Sequence, residues 1–287
     1  MRFVIVAHLA RPGAVELVRR AIDMLSQAGH TCVLHVPEGV GSAPPPDDLV
    51  ALVADDDADT TPELVISFGG DGTFLRAARI ARVADVPVIG VNVGRVGFLA
   101  EIDPRDLDTV LPRLASGQFE VEERSTLEVE LLDADGRAIA QGWALNDVAI
   151  EKVTRQRLVR LEVEIGATPF ASIAADAVIV ATSTGSTAYA LSAGGPIVNP
   201  TLDAMLIVPV APHSLFDRTV VTDLADVISV RVSDDQDGAL VSTDGMDPTE
   251  IGPGGSAVVR GGARPVRVAR LGGQAFFDRV RRTFRLG

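Results

Sequence analysis

Hydrophobic and polar residues alternate with two different periods along the chain, and the change comes near residue 120. Before it, short apolar runs are separated by stretches in which apolar residues recur every three or four positions. This succession of strand and amphipathic-helix patterns predicts parallel, right-handed β-α-β units. Residues 1–120 are therefore predicted to form a doubly wound parallel α/β domain. Its expected strands are residues 2–8, 31–36, 64–68 and 87–92, and its expected helices include residues 14–28, 47–54 and 107–115.

After residue 120 the dominant period is two. Residues 127–131 and 161–165 alternate apolar and acidic side chains, which is typical of an antiparallel sheet with one exposed face. Many such strands joined by turns predict a β-sandwich over residues 121–270. The expected strands are residues 126–132, 143–151, 158–165, 171–181, 205–210, 227–232, 239–243, 257–260 and 265–271.

The last segment, residues 271–287, has its own pattern. Phe276, Phe277, Val280 and Phe284 follow a helix-like spacing. An apolar helix face needs a surface to cover. We therefore expect this tail to pack back on the N-terminal domain.

The most informative stretch is a glycine turn between a buried strand and a helical pattern. Gly69, Gly70 and Gly72 remove the side chains from three of four consecutive positions, so a ligand can approach the backbone closely. Thr73 follows at the start of the helical pattern. A helix that begins here directs unpaired N–H groups at whatever lies over the turn, and this favours a phosphate group.

Asp71 is the one acidic residue in this turn. A carboxylate beside a phosphate is repelled unless a cation or a proton lies between them, so Asp71 indicates either a Mg²⁺ partner or a general base. The alternative is a purely structural Asp-Gly turn, but the strand-turn-helix context favours function. Arg76 is a candidate for charge compensation, although its place in a stripe of arginines also fits a solvated helix face.

A second loop at the carboxyl end of a strand, residues 93–101, is also glycine-spaced. Ligands commonly contact such loops in open α/β sheets. Asn92 and Arg95 are its candidate polar contacts, and a plain surface arginine is the alternative for Arg95.

Two polar stretches in the β region are candidates for a nucleotide site. Asn146 and Asp147 are poor strand formers within an apolar segment and need partners; they suit the paired hydroxyl groups of a ribose, with a locally bonded bulge as the alternative. Residues 182–187 carry five hydroxyl side chains, whereas helix capping needs only one. Tyr189 can stack on a nucleotide or hydrogen-bond to it, and Asp176 can accept from an adenine amino group.

Composition excludes several other classes. The net charge of −13 argues against nucleic acid or an anionic membrane as the main partner. The single cysteine, Cys32, sits in an apolar run, so no intrachain disulfide can form and a buried, unreactive thiol in a reducing cytosol is expected. Neither a signal peptide nor a membrane-spanning apolar run is predicted. The acidic cluster at residues 55–59 is expected to be a solvated segment rather than a cation site.

These motifs resemble those of the NAD kinase family. Gly-Gly-Asp-Gly-Thr at residues 69–73 is a signature that this family shares with diacylglycerol and sphingoid lipid kinases and with 6-phosphofructokinases. Asn146-Asp147 and residues 182–189 are similar to the second-domain motifs of NAD kinases, and the resemblance extends almost from end to end. Further segments that carry it are residues 211–215, 243–245 and 277–286.

The resemblance implies phosphorylation of the 2′-hydroxyl of the adenosine ribose of NAD⁺, with ATP or polyphosphate as the donor, to give NADP⁺. It implies that Asp71 is the general base and that Mg²⁺ or another divalent cation takes part, without assigning the metal ligands. It also implies a cytoplasmic homodimer or homotetramer. The residues expected to bind the substrates are Gly69, Gly70, Gly72, Thr73, Arg76, Asn146, Asp147, Asp176, Thr184, Ser186, Thr187, Ala188 and Tyr189.

Two other functions stay open at this point: a lipid kinase of the diacylglycerol or sphingoid type, and a non-catalytic dinucleotide sensor. The acidic charge and the lack of a basic amphipathic stretch argue against membrane docking, and the retained Asp71 argues against a sensor. The chain departs from the family pattern at Ser183, where proline is usual, and at Ala177, where glycine is usual. Neither change removes a reacting group.

Overall fold

The structure is a computed structural model that describes residues 1–36, 45–50, 61–94, 97–213, 216–272 and 276–286. The chain forms two compact units, residues 1–123 with 266–287, and residues 124–265. Arg95, residues 51–54 and the acidic cluster at 55–59, for which the sequence made predictions, lie outside the described residues.

The first unit contains a six-stranded sheet, counted over the described residues. Its strands are β1 (Arg2–Ala7), β2 (Thr31–His35), β3 (Leu64–Gly69), β4 (Val88–Asn92), β5 (Glu120–Arg124) and β18 (Val266–Arg270), in the order β2-β1-β3-β4-β18-β5. Its helices are α1 (Ala14–Gln27), α2 (Asp47–Val50), α3 (Asp71–Ala84), α4 (Leu107–Ala115) and α6 (Phe276–Phe284), with a 3-10 helix at Pro104–Asp106. The pairs β1–β2, β1–β3, β3–β4 and β4–β18 are parallel.

The core of the first unit follows from the predicted helix faces. α3 buries Phe74, Ala77, Ala78 and Ala81, and all six residues of β3 are buried, as expected for a central strand of a parallel sheet. Cys32 is buried in the same core, and burial raises the pKa of its thiol to about 11. The thiolate is therefore disfavoured, and the prediction of an unreactive cysteine is supported.

The second unit consists of two antiparallel sheets of six strands each among the described residues. One has the order β10-β9-β14-β17-β6-β7, formed by β10 (Thr168–Ala175), β9 (Val159–Ile165), β14 (Val227–Val232), β17 (Ser256–Gly261), β6 (Leu127–Leu132) and β7 (Ala138–Ala144). The other has the order β13-β12-β11-β8-β15-β16, formed by β13 (Val220–Asp223), β12 (Ala204–Val210), β11 (Ala177–Thr182), β8 (Asp147–Lys152), β15 (Ala239–Thr243) and β16 (Met246–Ile251). The short helix α5 (Tyr189–Ser192) and a 3-10 helix at Thr184–Thr187 follow β11.

One hydrophobic cluster joins the two sheets of this unit. It combines Val129 and Leu161 of one sheet with Val178 and Val241 of the other. A parallel α/β unit and an antiparallel β-sandwich are thus both present, and the predicted fold class is confirmed.

Three segments differ from the sequence prediction. The expected strands 143–151 and 171–181 are each interrupted, at Leu145–Asn146 and at Asp176, because polar residues end one strand and the chain enters the other sheet. β18 was predicted with the sandwich strands, but it pairs with β4 in the first unit. A short apolar strand has the same pattern in either place, so its partner depends on tertiary packing.

Among the described residues, no helix is both long enough and apolar enough to cross a lipid bilayer.

Candidate active site

The glycine turn of the first unit connects β3 directly to α3. β3 ends at Gly69, Gly70 is the N-cap of α3, and Asp71 is the first helical residue. A Cβ atom on Gly69 would lie 2.2 Å from Oγ1 of Thr73, so the buried threonine requires glycine there. The first N–H groups of α3 therefore emerge at the carboxyl end of a central parallel strand, the usual place for a phosphate group.

The Asp71 carboxylate is held by a facing loop. Its Oδ2 accepts a hydrogen bond from the N–H of Phe98 at 2.9 Å, and its Oδ1 accepts from the N–H groups of Leu99 at 3.0 Å and Ala100 at 3.4 Å. A Cβ on Gly97 would lie 2.2 Å from Oδ1. The carboxylate is thus oriented by backbone donors and is only half-buried, a suitable state for a group that receives a proton from a ligand.

Arg11 lies over the same turn, and sequence reasoning did not predict it. Its Nη1 donates to the carbonyl oxygen of Val93 at 2.5 Å, and a Cβ on Gly70 would lie 3.0 Å from its Nη2. Among the described residues, Arg11 forms no ion pair, so most of its N–H donors stay available for an anion. The signal was its position after β1, since loops at the carboxyl ends of neighbouring strands meet.

Arg76 is placed differently. It is half-buried on α3, and no hydrogen bond or ion pair of its side chain occurs within the described ranges. Three further polar atoms at this end of the sheet are buried without a hydrogen-bond partner among the described residues: Nδ1 of His8, Oγ of Ser67 and Oδ1 of Asn92. Buried polar atoms are nearly always satisfied, so a bound ligand or water is expected near them.

In the second unit, Asn146 and Asp147 lie where β7 passes into β8. The Asp244 carboxylate accepts hydrogen bonds from the N–H groups of Leu145 at 3.0 Å, Asn146 at 2.7 Å and Asp147 at 3.3 Å. The Asn146 side chain is 7% exposed, and its Oδ1 has no partner among the described residues. Asp244 belongs to a segment that carried the family resemblance, but no role had been predicted for it.

Asp147 is buried beside another acid. Burial, and secondly the negative charge of Asp244, raise its pKa to about 7, although the Tyr189 N–H donates to it and opposes the shift. Near neutral pH this carboxyl group is therefore present in both forms, and it can accept or donate a hydrogen bond to a ligand hydroxyl group.

The hydroxyl-rich segment after β11 packs against the same turn. The Thr182 hydroxyl donates to the Leu145 carbonyl at 2.6 Å and accepts from the Gly185 N–H at 3.0 Å. A Cβ on Gly185 would lie only 2.0 Å from the Asn146 carbonyl oxygen, so only glycine fits there. Close packing onto the turn at Asn146 thus explains why residue 182 is a threonine and residue 185 is a glycine.

The other hydroxyl groups of this segment also have protein partners. Ser183 donates to the Leu202 carbonyl at 2.6 Å, Thr184 accepts from Arg124 at 3.3 Å, and Ser186 bonds to Val198. Thr187 Oγ1 lies 3.3 Å from the Thr184 carbonyl. The excess of hydroxyl groups therefore does not by itself require a ligand, which corrects that part of the sequence argument.

Of the remaining predicted contacts, Tyr189 and Ala188 lie near Asp147, and Asp176 lies at the other end of β8. The Tyr189 hydroxyl donates to Oε1 of Glu151 at 3.2 Å, and Ala188 precedes it with its N–H bonded to the Gly185 carbonyl. Asp176 forms a hydrogen-bonded ion pair with Lys152, the only lysine in the chain. One oxygen of Asp176 is thus engaged by the protein.

Both parts of the chain match known domain families. The model of the ATP-NAD kinase N-terminal domain matches residues 3–119, and that of the ATP-NAD kinase C-terminal domain matches residues 145–271. The chain belongs to the NAD kinase family. The resemblance predicted from its motifs is confirmed.

The relatives share most of the chain. NAD kinase 2 of Streptomyces avermitilis is 40% identical over 98% of this chain and 93% of its own length. The NAD kinase of Mycolicibacterium paratuberculosis is 42% identical over 98% of this chain and 94% of its own. No finding supports a lipid kinase or a non-catalytic sensor.

Two solved structures share the fold. That of yeast NADH kinase complexed with NADH has a TM-score of 0.85 at 20% identity, covering 100% of this chain and 88% of the other. That of an NAD kinase from Archaeoglobus fulgidus in complex with ATP has a TM-score of 0.71 at 24% identity, covering 98% and 99%. At this identity the likeness concerns the fold alone.

Proposed function

We propose that this NAD kinase transfers the γ-phosphoryl group of ATP to the 2′-hydroxyl of the adenosine ribose of NAD⁺, with Asp71 as the general base. The 2′-O–H bond breaks and its proton passes to the Asp71 carboxylate, while the new O–P bond forms and ADP leaves. The observation that carries this role is the Asp71 carboxylate at the start of α3, oriented by three backbone N–H groups. Such placement supplies most of the catalysis in phosphoryl transfer.

The phosphate groups would be bound at the glycine turn. The N–H groups of Gly69, Gly70 and Gly72 would contact them, and the Arg11 guanidinium would supply the positive charge. Thr73 would lie beside these donors, with its own N–H bonded to the Gly70 carbonyl at 3.0 Å. A local cation is needed because the whole chain has a net charge of −13. Arg76 is a second candidate, because its half-buried side chain makes no hydrogen bond or ion pair within the described ranges.

The dinucleotide would be bound by the second unit. Asn146 and Asp147 would hold ribose hydroxyl groups, which is supported by the unpartnered Oδ1 of Asn146 and the buried carboxyl group of Asp147. Tyr189 would contact the adenine and ribose end. The other residues proposed at that end are Asp176, Thr184, Ser186, Thr187 and Ala188.

A divalent cation fits this arrangement only as an ion brought by the substrate. The described residues hold no group of three or more His, Cys, Asp or Glu side chains placed for a metal, so a cage formed by the protein alone is not supported. Mg²⁺ commonly binds through one or two carboxylates and the substrate phosphates, and Asp71 suits that role. When bound, the cation would neutralise phosphate charge.

The assembly is also proposed, as a cytoplasmic homodimer or homotetramer formed through the second unit. Its support is the set of exposed apolar side chains on that unit, including the edge-to-face pair Phe170 and Phe216, whose ring centres are 5.6 Å apart. Light scattering on the purified chain measures the assembly directly.

The function is tested by NADP⁺ formation from NAD⁺, ATP and Mg²⁺. Asp71→Asn should lower kcat by about 100-fold or more, with an unchanged melting temperature. Asp85→Asn is the matched control, because Asp85 is exposed at the other end of α3 in a left-handed conformation that asparagine tolerates. Equal turnover by wild type and Asp71→Asn would disprove the role of Asp71; no turnover by wild type would disprove the activity.

A further inference from the structure

The loop that orients Asp71 is held on its other side by the C-terminal helix α6. The Phe98 ring lies 6.2 Å from the Phe284 ring. Glu101 follows Ala100 directly, and its Oε1 accepts a hydrogen bond from Nη1 of Arg279 at 2.5 Å. Residues 97–101 are therefore contacted by Asp71 from one side and by α6 from the other.

The contact with α6 is a largely buried cluster of two arginines and two glutamates, in which Arg279 is nearly fully covered and the other three side chains are partly exposed. Arg279 is 4% exposed. Arg270 of β18 also pairs with Glu101, and its Nε lies 3.8 Å from Glu122 of β5. Burial, and secondly the positive charge of Arg279, lower the pKa of Arg270 to about 10.

Arg279 also lies within electrostatic reach of Asp71. Burial lowers the pKa of Arg279, while the negative charges of Glu122 and then Asp71 act in the opposite direction. The guanidinium is therefore linked to the carboxylate in two ways, through space and through the Glu101 loop.

A buried ion cluster is a poor way to anchor a tail for stability alone. Apolar residues of similar volume usually stabilise as much or more, because removing charges from water is costly. α6 already has Phe284 and Val280 for apolar contacts. What the charged cluster adds is a fixed direction for Glu101, and hence for the N–H groups just before it.

We propose that Arg279 is a positioning residue for Asp71, and that it acts by fixing Glu101 and the loop whose N–H groups orient the carboxylate. The inference rests on the proposed role of Asp71. It makes α6, which is remote in sequence from the glycine turn, part of the apparatus for phosphoryl transfer. A displacement of about 1 Å in a catalytic group can cost about 100-fold in rate, so a small shift of this loop is sufficient.

The kinetic test compares Arg279→Met, Arg279→Lys and the control Arg282→Met, which alters an exposed arginine of the same helix. The rate is divided by the concentration of NAD⁺-binding sites, so that unfolded protein does not lower the measured kcat. For Arg279→Met we expect kcat to fall about tenfold or more, because orientation is lost, while KM for NAD⁺ and ATP changes less than about twofold. Arg279→Lys should recover part of kcat, and Arg282→Met should match wild type.

The structural test is amide hydrogen exchange of Phe98, Leu99 and Ala100. These N–H groups should exchange faster in Arg279→Met, and as fast as in Asp71→Ala, while β1 exchanges as in wild type. If Arg279→Met does not fold, Phe284→Ala replaces it with the same two readouts, because the Phe284 side chain is 42% exposed and its loss is tolerable.

The outcomes separate this inference from the proposed function. An inactive Asp71→Asn together with wild-type kcat and exchange in Arg279→Met overturns the positioning role and leaves the general base in place. Full activity of Asp71→Asn overturns both. A fall in kcat with faster loop exchange and partial rescue by lysine supports the positioning role.

Discussion

Two aspartates in different units bind three successive backbone N–H groups in the same way, but their roles are reversed. Asp71 accepts from residues 98–100, and Asp244 accepts from residues 145–147. In the first unit the carboxylate is the candidate reacting group and the loop is its support. In the second unit the loop carries the candidate binding groups, Asn146 and Asp147, and the carboxylate is the support.

This difference shows why an aspartate cannot be assigned a role from its hydrogen bonds alone. Both carboxylates are half-buried, but Asp71 belongs to the glycine turn at the start of α3, whereas Asp244 sits in a tight Asp-Gly turn with φ of 53°. A supporting aspartate should matter most for stability and affinity, and a reacting one for turnover. The comparison is therefore tested by measuring turnover, ligand affinity and stability separately in variants of the two sites.

The largest stability effect is expected from Asp244→Ala. It leaves the N–H groups of residues 145–147 without their charged acceptor, so the free energy of unfolding should fall by about 3 kcal/mol and NAD⁺ affinity by about tenfold or more. Urea denaturation and calorimetric titration measure these quantities. Asp133→Ala is the control, because Asp133 accepts two backbone N–H bonds in an exposed turn. Unchanged affinity and stability in Asp244→Ala would remove the supporting role.

A pair of glycine substitutions should separate the two sites. In Gly185→Ala the new Cβ would meet the Asn146 carbonyl at 2.0 Å, so backbone must move and stability should fall by about 2 kcal/mol. In Gly97→Ala it would meet a carboxylate oxygen of Asp71 at 2.2 Å, so a side chain can yield. In Gly97→Ala we therefore expect a clear fall in kcat and only a small fall in the free energy of unfolding. Gly252→Ala is the control, because there is open space around Gly252. The same changes in kcat and in stability for Gly185→Ala and Gly97→Ala would contradict the comparison.

The smallest effect is the pH dependence of Asp147. Its pKa of about 7 in the folded protein exceeds the ordinary value of 3.8 for an aspartate, so its stabilising contribution is complete below about pH 4 and is lost as the pH rises through 7. Between pH 6 and 8, wild type should lose about 1.4 kcal/mol more than Asp147→Asn. Urea denaturation at both pH values gives this difference. The contributions of the other titratable groups cancel, because they are the same in wild type and in Asp147→Asn. Parallel losses in the two proteins would show that Asp147 does not titrate in this range.

The sequence predicts the first site better than the second, for a physical reason. The glycine turn, Asp71 and the buried face of α3 all follow from residues within one strand-turn-helix unit, where local pattern determines structure. Asn146 and Asp147 were predicted as candidates within a continuous strand, 143–151, with a locally bonded bulge only as the alternative to a ligand contact. The apolar residues on both sides continue the strand pattern, and the turn depends on Asp244 nearly a hundred positions later.

Arg11 and Arg279 were beyond sequence reasoning for the same reason. Arg11 reaches the glycine turn through contacts with Gly70 and Val93, and Arg279 reaches Glu101 from the far end of the chain. Nothing in their immediate sequence neighbours distinguishes them from the exposed arginines of the chain. An arginine that is distant in sequence can be assigned to a site only when the order of the strands in the sheet is known.

The position of β18 and α6 has a consequence for biosynthesis. The second unit is one continuous segment, residues 124–265, but the first unit receives β18 and α6 only from the last residues of the chain. Since synthesis proceeds from the N-terminus, the sandwich can fold while the parallel sheet still lacks a strand between β4 and β5. A ribosome that stops early would release a chain with an intact sandwich but no Arg279, and the glycine turn would remain without its final support.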